Sequence, residues 1–179
     1  MRDAPPMTDS SSQPGRDSAP AVQWGTFEEQ AEGLAAETLP RLQYAPCYLA
    51  TIRSDGWPRV HPVGVNVRRP ALVVVMFPTS PKAADLRRTG KYAVHCAVED
   101  NNGGGGEVLV TGIARDVEPT PADHERGWIA FELLVAEVLF IRSHDGKLSK
   151  RRWIAAGTGP MHGAAPGGSA RSALSDGAQ

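Results

Sequence analysis

Ser80, Pro81 and Lys82 open a segment, SPKAADLRR (80–88), that reads as a short helix ended by Gly90. Ser80 takes the N-cap position, Pro81 suits the first helical position and Lys82 lies in the first turn. A helix start leaves backbone N–H groups without intrahelical partners, so those groups, a hydroxyl and an ammonium could converge on one phosphate. The same residues are also an ordinary way to begin a helix with a solvated lysine. Local physics leaves both readings open.

Upstream, Arg59 and His61 share one face of a predicted strand that Val63, Val65 and Val67 continue. Polar groups at the end of an apolar stripe could grip a ligand at the rim of a barrel, or be a solvated edge. Pro62 cannot donate to a sheet ladder and Gly64 permits close approach, so a flat ring could lie against that strand. Near the other end, Lys150, Arg151, Arg152 and Trp153 join cations to a large aromatic. Stacking on a planar cofactor, pairing with a phosphate and packing at a dimer seam all fit them. They lack the extended basic stripe that nucleic-acid binding requires.

No nucleophile elbow, zinc-protease helix or nucleotide-binding loop is present, so no catalytic residue is assigned and no metal site is expected. His95 alternates with Val94 and Cys96 in a strand, as a structural histidine would, and His124 reads as a solvated helix residue. Such a chain can still be an enzyme if a cofactor carries the chemistry.

The elements that must position these groups fit one core in 179 residues. Nineteen basic against twenty acidic residues give a net charge of −1, so any anion site is local. Cys47 and Cys96 lie in apolar runs without a CxxC partner, which favours reduced thiols and a cytoplasmic location. The first residues lack the apolar stretch of a secretion signal and no run suits a membrane span, so no membrane partner is expected.

Residues 1–23 and 157–179, rich in small and polar residues, are expected to be disordered tails around a domain at 24–156. TFEEQAEGLAAETLPRL (26–42) predicts a helix with a Thr26 N-cap, Phe27, Gln30, Leu34 and Thr38 near helical spacing on a thin apolar face, and an end at Pro40. From residue 47 the period becomes two. Strands are predicted at 47–52, 59–67, 72–77, 91–99, 107–118, 137–144 and 147–155, with the third central because it is apolar on both faces. Asp55-Gly56 and Asp145-Gly146 suit hairpin turns, DNNGGGG (100–106) a flexible loop, and 119–131 a helical turn or two.

The order and content of these elements resemble the pyridoxamine 5′-phosphate oxidase-like superfamily of FMN-binding split barrels. The resemblance runs from about residue 26 to 156. It is carried by YLATIRSDGWPRVHPVGV (48–65), SPKAADLRRTGKYAVH (80–95), EVLVTGIARDV (107–117) and the closing EVLFIRSH and RRW. It implies a mainly β fold, a six-stranded antiparallel Greek-key split barrel with flanking helices. It also implies a homodimer with two FMN sites between subunits and a small-molecule substrate. Arg59, Ser80 and Lys82 match its phosphate-binding positions. His61, Pro62 and Val63 match the strand along the isoalloxazine edge, and Trp153 with Arg152 would reach the flavin of the other subunit.

True pyridoxamine phosphate oxidases carry an Arg-x-x-x-Leu-Lys motif and end in Phe-Trp-Gln, where this chain reads RVHPVGV and KLSKRRWIAAG. Pyridoxamine oxidation is therefore not expected. The resemblance implies a flavin-dependent oxidoreductase. Its alternatives are a deazaflavin-dependent reductase, suggested by Pro-, Ala- and Gly-rich composition of actinobacterial style, a flavin-binding module without turnover, and a barrel that has lost its ligand.

Overall fold

A computed structural model of the chain describes residues 20–98, 106–144 and 147–156. The expected C-terminal tail, nearly all of the glycine-rich loop, the Asp145-Gly146 turn and all but the end of the N-terminal tail lie outside the described residues. The elements are α1 (Trp24–Gln30), α2 (Glu32–Tyr44), β1 (Cys47–Ile52), β2 (Pro58–Val63), β3 (Val65–Arg68), β4 (Ala71–Met76), α3 (Pro81–Thr89), β5 (Lys91–Cys96), β6 (Glu107–Val117), α4 (Pro121–Glu125), β7 (Ile129–His144) and β8 (Lys147–Ile154).

All the strands join one antiparallel sheet in the order β2-β1-β5-β6-β7-β4-β3, with β8 also paired to β7. The two ends of that order, β2 and β3, are consecutive in the chain and separated only by Gly64. The sheet must therefore curl until its ends come together, and it does so as a split barrel. Strand alternation places Cys47, Leu49 and Thr51 inward on β1, with Val94 and Cys96 on β5 and Val108 and Val110 on β6. Helices α1 and α2 contribute Trp24, Phe27, Leu34, Ala35 and Leu42 to the same core, and α3 contributes Ala83 and Leu86.

Eight strands are present among the described residues, where the resemblance implied six. The predicted strand at 59–67 is two strands because the ladder breaks at Gly64. β7 begins at Ile129, inside the stretch expected to be helical, and α4 covers only five residues. Gly127, at φ 68°, turns the chain there. In the first part of β7 the consecutive residues Ala130, Phe131, Glu132 and Leu133 are all buried, so both its faces are covered and alternation is hidden in FELLVA. β4 is buried on both faces, as predicted, but lies next to the end of the sheet order rather than at its centre.

The predicted helix at 26–42 is two helices joined at Ala31, and the first is preceded by Gln23 rather than capped by Thr26. The Gln23 amide donates to Glu132 at 2.9 Å instead of capping the helix. α2 continues through Pro40 to Tyr44. Pro40 and Ala36, whose carbonyl loses its partner N–H, are both exposed, so water can satisfy that carbonyl. Gln30, expected near helical spacing with Phe27 and Leu34, is exposed. Val22, assigned by composition to a tail, pairs with Val135. No helix among the described residues is long and apolar enough to cross a membrane.

The β6–β7 ladder shifts register between Thr111 and Gly112. A Cβ on Gly112 would lie 1.9 Å from the Leu134 carbonyl oxygen, a backbone atom that cannot give way cheaply. Gly112→Ala is expected to lose about 3 kcal/mol in urea denaturation. Gly64→Ala, whose Cβ would meet nothing within 4 Å, should stay near wild type.

Candidate functional site

A cleft of about 270 Å³ opens where the two ends of the sheet meet. One wall is Pro62, Val63 and Gly64 from the end of β2, and the other is Val75, Met76 and Phe77 from the end of β4. Ser80 and Lys82 stand at the start of α3, and Trp128 closes the space from the turn after α4. Phe77 and Trp128 meet edge to face with ring centroids 6.4 Å apart. Arg126 lies over the Trp128 ring at 5.2 Å.

The local sequence explains the polar end. Ser80 is the N-cap, with extended backbone, and Pro81 is at the first helical position, as predicted. Gly90 ends the helix at φ 65°, and its N–H donates to Leu86. The Ser80 hydroxyl, however, makes no capping hydrogen bond, so it is not spent on the helix. Lys82 is half-buried and has no ion-pair partner among the described residues. The Ser80 and Ala83 N–H groups already donate to the Phe77 and Ser80 carbonyls and Pro81 has none, so it is the hydroxyl and the ammonium that face a cleft lined largely by apolar and aromatic side chains, an arrangement suited to an anionic group on a flat apolar ligand.

Arg59 does not line this cleft. It reaches α3 three residues after Lys82, where its Nε donates to Asp85 Oδ2 at 2.8 Å. The Thr51 hydroxyl donates to the same oxygen at 2.9 Å, and Arg88 lies 3.5 Å from Oδ1 while also donating to the Ile52 carbonyl. Burial raises the Asp85 pKa, but the hydrogen bonds from Arg59 and Thr51 and the charge of Arg59 outweigh it, so the carboxyl titrates below its ordinary value.

Of the other anticipated residues, Pro62 and Val63 come together with Ser80 and Lys82, whereas His61 is exposed and outside the cleft lining. Arg59, His61 and Val63 do share one strand face, opposite Thr51, Leu49 and Cys47. Arg152 and Trp153 do not line the cleft. As neighbours on β8 they point to opposite faces: Trp153 packs on Phe27 with centroids 5.0 Å apart, and Arg152 pairs with Glu137 at 2.7 Å. Phe77 and Trp128 were not anticipated. Phe77, 61% exposed and three residues before the helix cap, was readable only as the end of a strand. Trp128 lies in the segment expected to be helical, beyond the end of α4 at Glu125.

No protein-family model and no curated protein matches the sequence. Solved structures do. The heme binding protein from Mycobacterium smegmatis superimposes with a TM-score of 0.50 at 15% identity, covering 65% of this chain and 55% of its own. PhzG from Burkholderia lata, solved with tetrahydrophenazine-1-carboxylic acid, gives a TM-score of 0.54 at 15% identity, covering 78% of this chain and 90% of its own. A candidate pyridoxamine 5′-phosphate oxidase from Listeria innocua gives 0.51 at 12% identity, covering 63% of this chain and 98% of its own. The likeness is one of fold. The chain is a split barrel, an architecture it shares with these structures.

Because the folded-state pKa of Asp85 is depressed, the network contributes stability above the ordinary carboxylate value of about 3.9, and that contribution is lost as pH falls toward the depressed value. Urea midpoints measured from pH 7 to pH 3 should fall at the acid end. Asp85→Asn should lower the neutral midpoint and flatten the acid limb. An equally steep acid limb in the variant would contradict this assignment.

Proposed function

We propose that the protein is a flavin-dependent oxidoreductase that holds FMN in this cleft, with the phosphate at Ser80 and Lys82 and the ring along Pro62, Val63 and Gly64. The observation that carries the reading is the half-buried Lys82, without an ion-pair partner among the described residues, beside an uncommitted Ser80 hydroxyl at the polar end of an apolar cleft. Bound FMN would supply hydride or electron transfer to a small organic molecule. The chain's own part is binding and orientation: Lys82 and the Ser80 hydroxyl hold the phosphate, and Phe77 and Trp128 exclude water from one side. Among the residues lining the cleft, Lys82 is the sole ionisable group, so the reading assigns the protein no acid–base step.

A homodimer belongs to the same proposal. At about 270 Å³ the cleft falls short of the roughly 300–1,000 Å³ of complete ligand pockets, so a second copy has room to supply a wall. The outer faces of β1, β5, β6 and β7 align Tyr48, His95, Leu109 and Leu139 in one register row. Each is partly exposed, as a face awaiting a partner would be. Arg152 lies on the same row next to Leu139, so the resemblance-derived role of Arg152 at the partner's flavin belongs to this dimer. Trp153, turned inward, would need the partner to approach the Phe27 side. The buried free thiols Cys47 and Cys96 support a reducing compartment such as the cytoplasm.

A deazaflavin coenzyme is the second reading, because a phosphate at α3 and a flat ring along β2 suit it equally. Titration of the protein with FMN, riboflavin and the deazaflavin, followed by fluorescence and by solution mass, tests these readings together. FMN should bind saturably to a dimer and more tightly than riboflavin. Lys82→Ala should weaken FMN roughly tenfold or more while sparing riboflavin. Saturable binding of the deazaflavin alone would favour the second reading, and absence of binding by either would remove both. Bound cofactor that neither NAD(P)H nor reduced deazaflavin reduces in stopped flow would leave a binding module.

A further inference from the structure

Arg59 meets α3 through one nitrogen only. Asp85 takes its Nε at 2.8 Å, and the two terminal amino groups have no partner among the described residues. Asp85 is itself held firmly. It is 5% exposed, its Oδ2 also accepts from Thr51 on β1 at 2.9 Å, and its Oδ1 lies 3.5 Å from Arg88 on its own helix. The carboxylate is thus fixed by donors from β1, β2 and α3 at once. A guanidinium anchored by Nε keeps the outer half of its fork for another anion. Asp85 follows Lys82 by three residues, so the two lie one helical turn apart on neighbouring positions of the α3 surface.

We infer that Asp85 is a positioning residue for the phosphate end of the cleft: it docks Arg59 against α3 so that the free fork joins Ser80 and Lys82 on a phosphate monoester. This rests on the flavin-phosphate reading above. Charge supports it. Lys82, Arg59 and Arg88 are three cations and Asp85 one anion, which leaves two positive charges for a group carrying about −1.5 to −2 at neutral pH. Asp85 also offers a test by sign. A carboxylate that merely stood near the site would repel the phosphate, and its removal would tighten binding. A positioning carboxylate, although of like charge to the ligand, must weaken phosphate binding when removed.

The ratio of the riboflavin Kd to the FMN Kd isolates the phosphate contribution. It can be measured on the full chain as wild type, Asp85→Asn, Arg59→Gln and the double variant, with thermal melting to verify folding. Asp85→Asn should lower the ratio about tenfold and leave riboflavin binding unchanged, Arg59→Gln should lower it by a similar factor, and the double variant should be no worse than Arg59→Gln alone. Should Asp85→Asn not fold, Thr51→Val, which removes one donor to the same oxygen, should lower the ratio severalfold. An equal or higher ratio in Asp85→Asn, an unchanged ratio in Thr51→Val, or additive losses in the double variant would overturn the role of Asp85. A wild-type ratio near one would instead remove the phosphate site itself.

Discussion

The sheet begins with β2 and ends with β3, and these two strands are neighbours in the chain across a single glycine. That connectivity constrains everything else. A flat sheet of this order would hold its ends many strands apart, so the only shape open to it is a curled one whose ends meet at Gly64. Curling supplies the core, because the inward rows of β1, β5, β6 and β7 then face one another and α1 and α2 close over them. It also leaves a seam. At the seam the ladder is interrupted, Pro62 offers no N–H, and the ends of β2 and β4 stand apart as the two walls of the cleft. The candidate site is therefore a by-product of closure, located where the barrel cannot hydrogen-bond to itself.

Charge placement separates scaffold from site. Three buried carboxylates, Asp85, Asp123 and Glu132, each meet an arginine from another element: Arg59 at 2.8 Å, Arg68 at 2.7 Å and Arg115 at 2.6 Å. These are the partnerships that burial of a charge demands. Lys82 departs from the pattern, being half-buried at the seam without a carboxylate partner among the described residues. Its charge is left for an incoming anion to meet.

Much of this was legible in the residues. Period-two alternation marked most strand cores, and Ser80-Pro81 with Gly90 marked both ends of α3 because capping chemistry is local. Ser80 and Lys82, expected at a phosphate, and Pro62 and Val63, expected along a ring, line one cleft. The failures have physical causes. β7 was read short because a strand covered on both faces shows no alternation. Pro40 was read as a terminator because its neighbours' exposure is a tertiary property. Phe77 and Trp128 are brought together by the fold across fifty residues of chain, and no local signal joins them. Arg59 was placed at the phosphate without its anchor, since the bond to Asp85 links a strand to a helix that sequence spacing cannot relate.

The central claim is that the seam holds a flavin phosphate at the start of α3, and a crystal structure determined with FMN tests it most directly. The account predicts the phosphate within hydrogen-bond reach of Lys82 and the Ser80 hydroxyl, with the ring lying along residues 62–64. FMN bound with its phosphate elsewhere, or with Lys82 turned away from it, would contradict it.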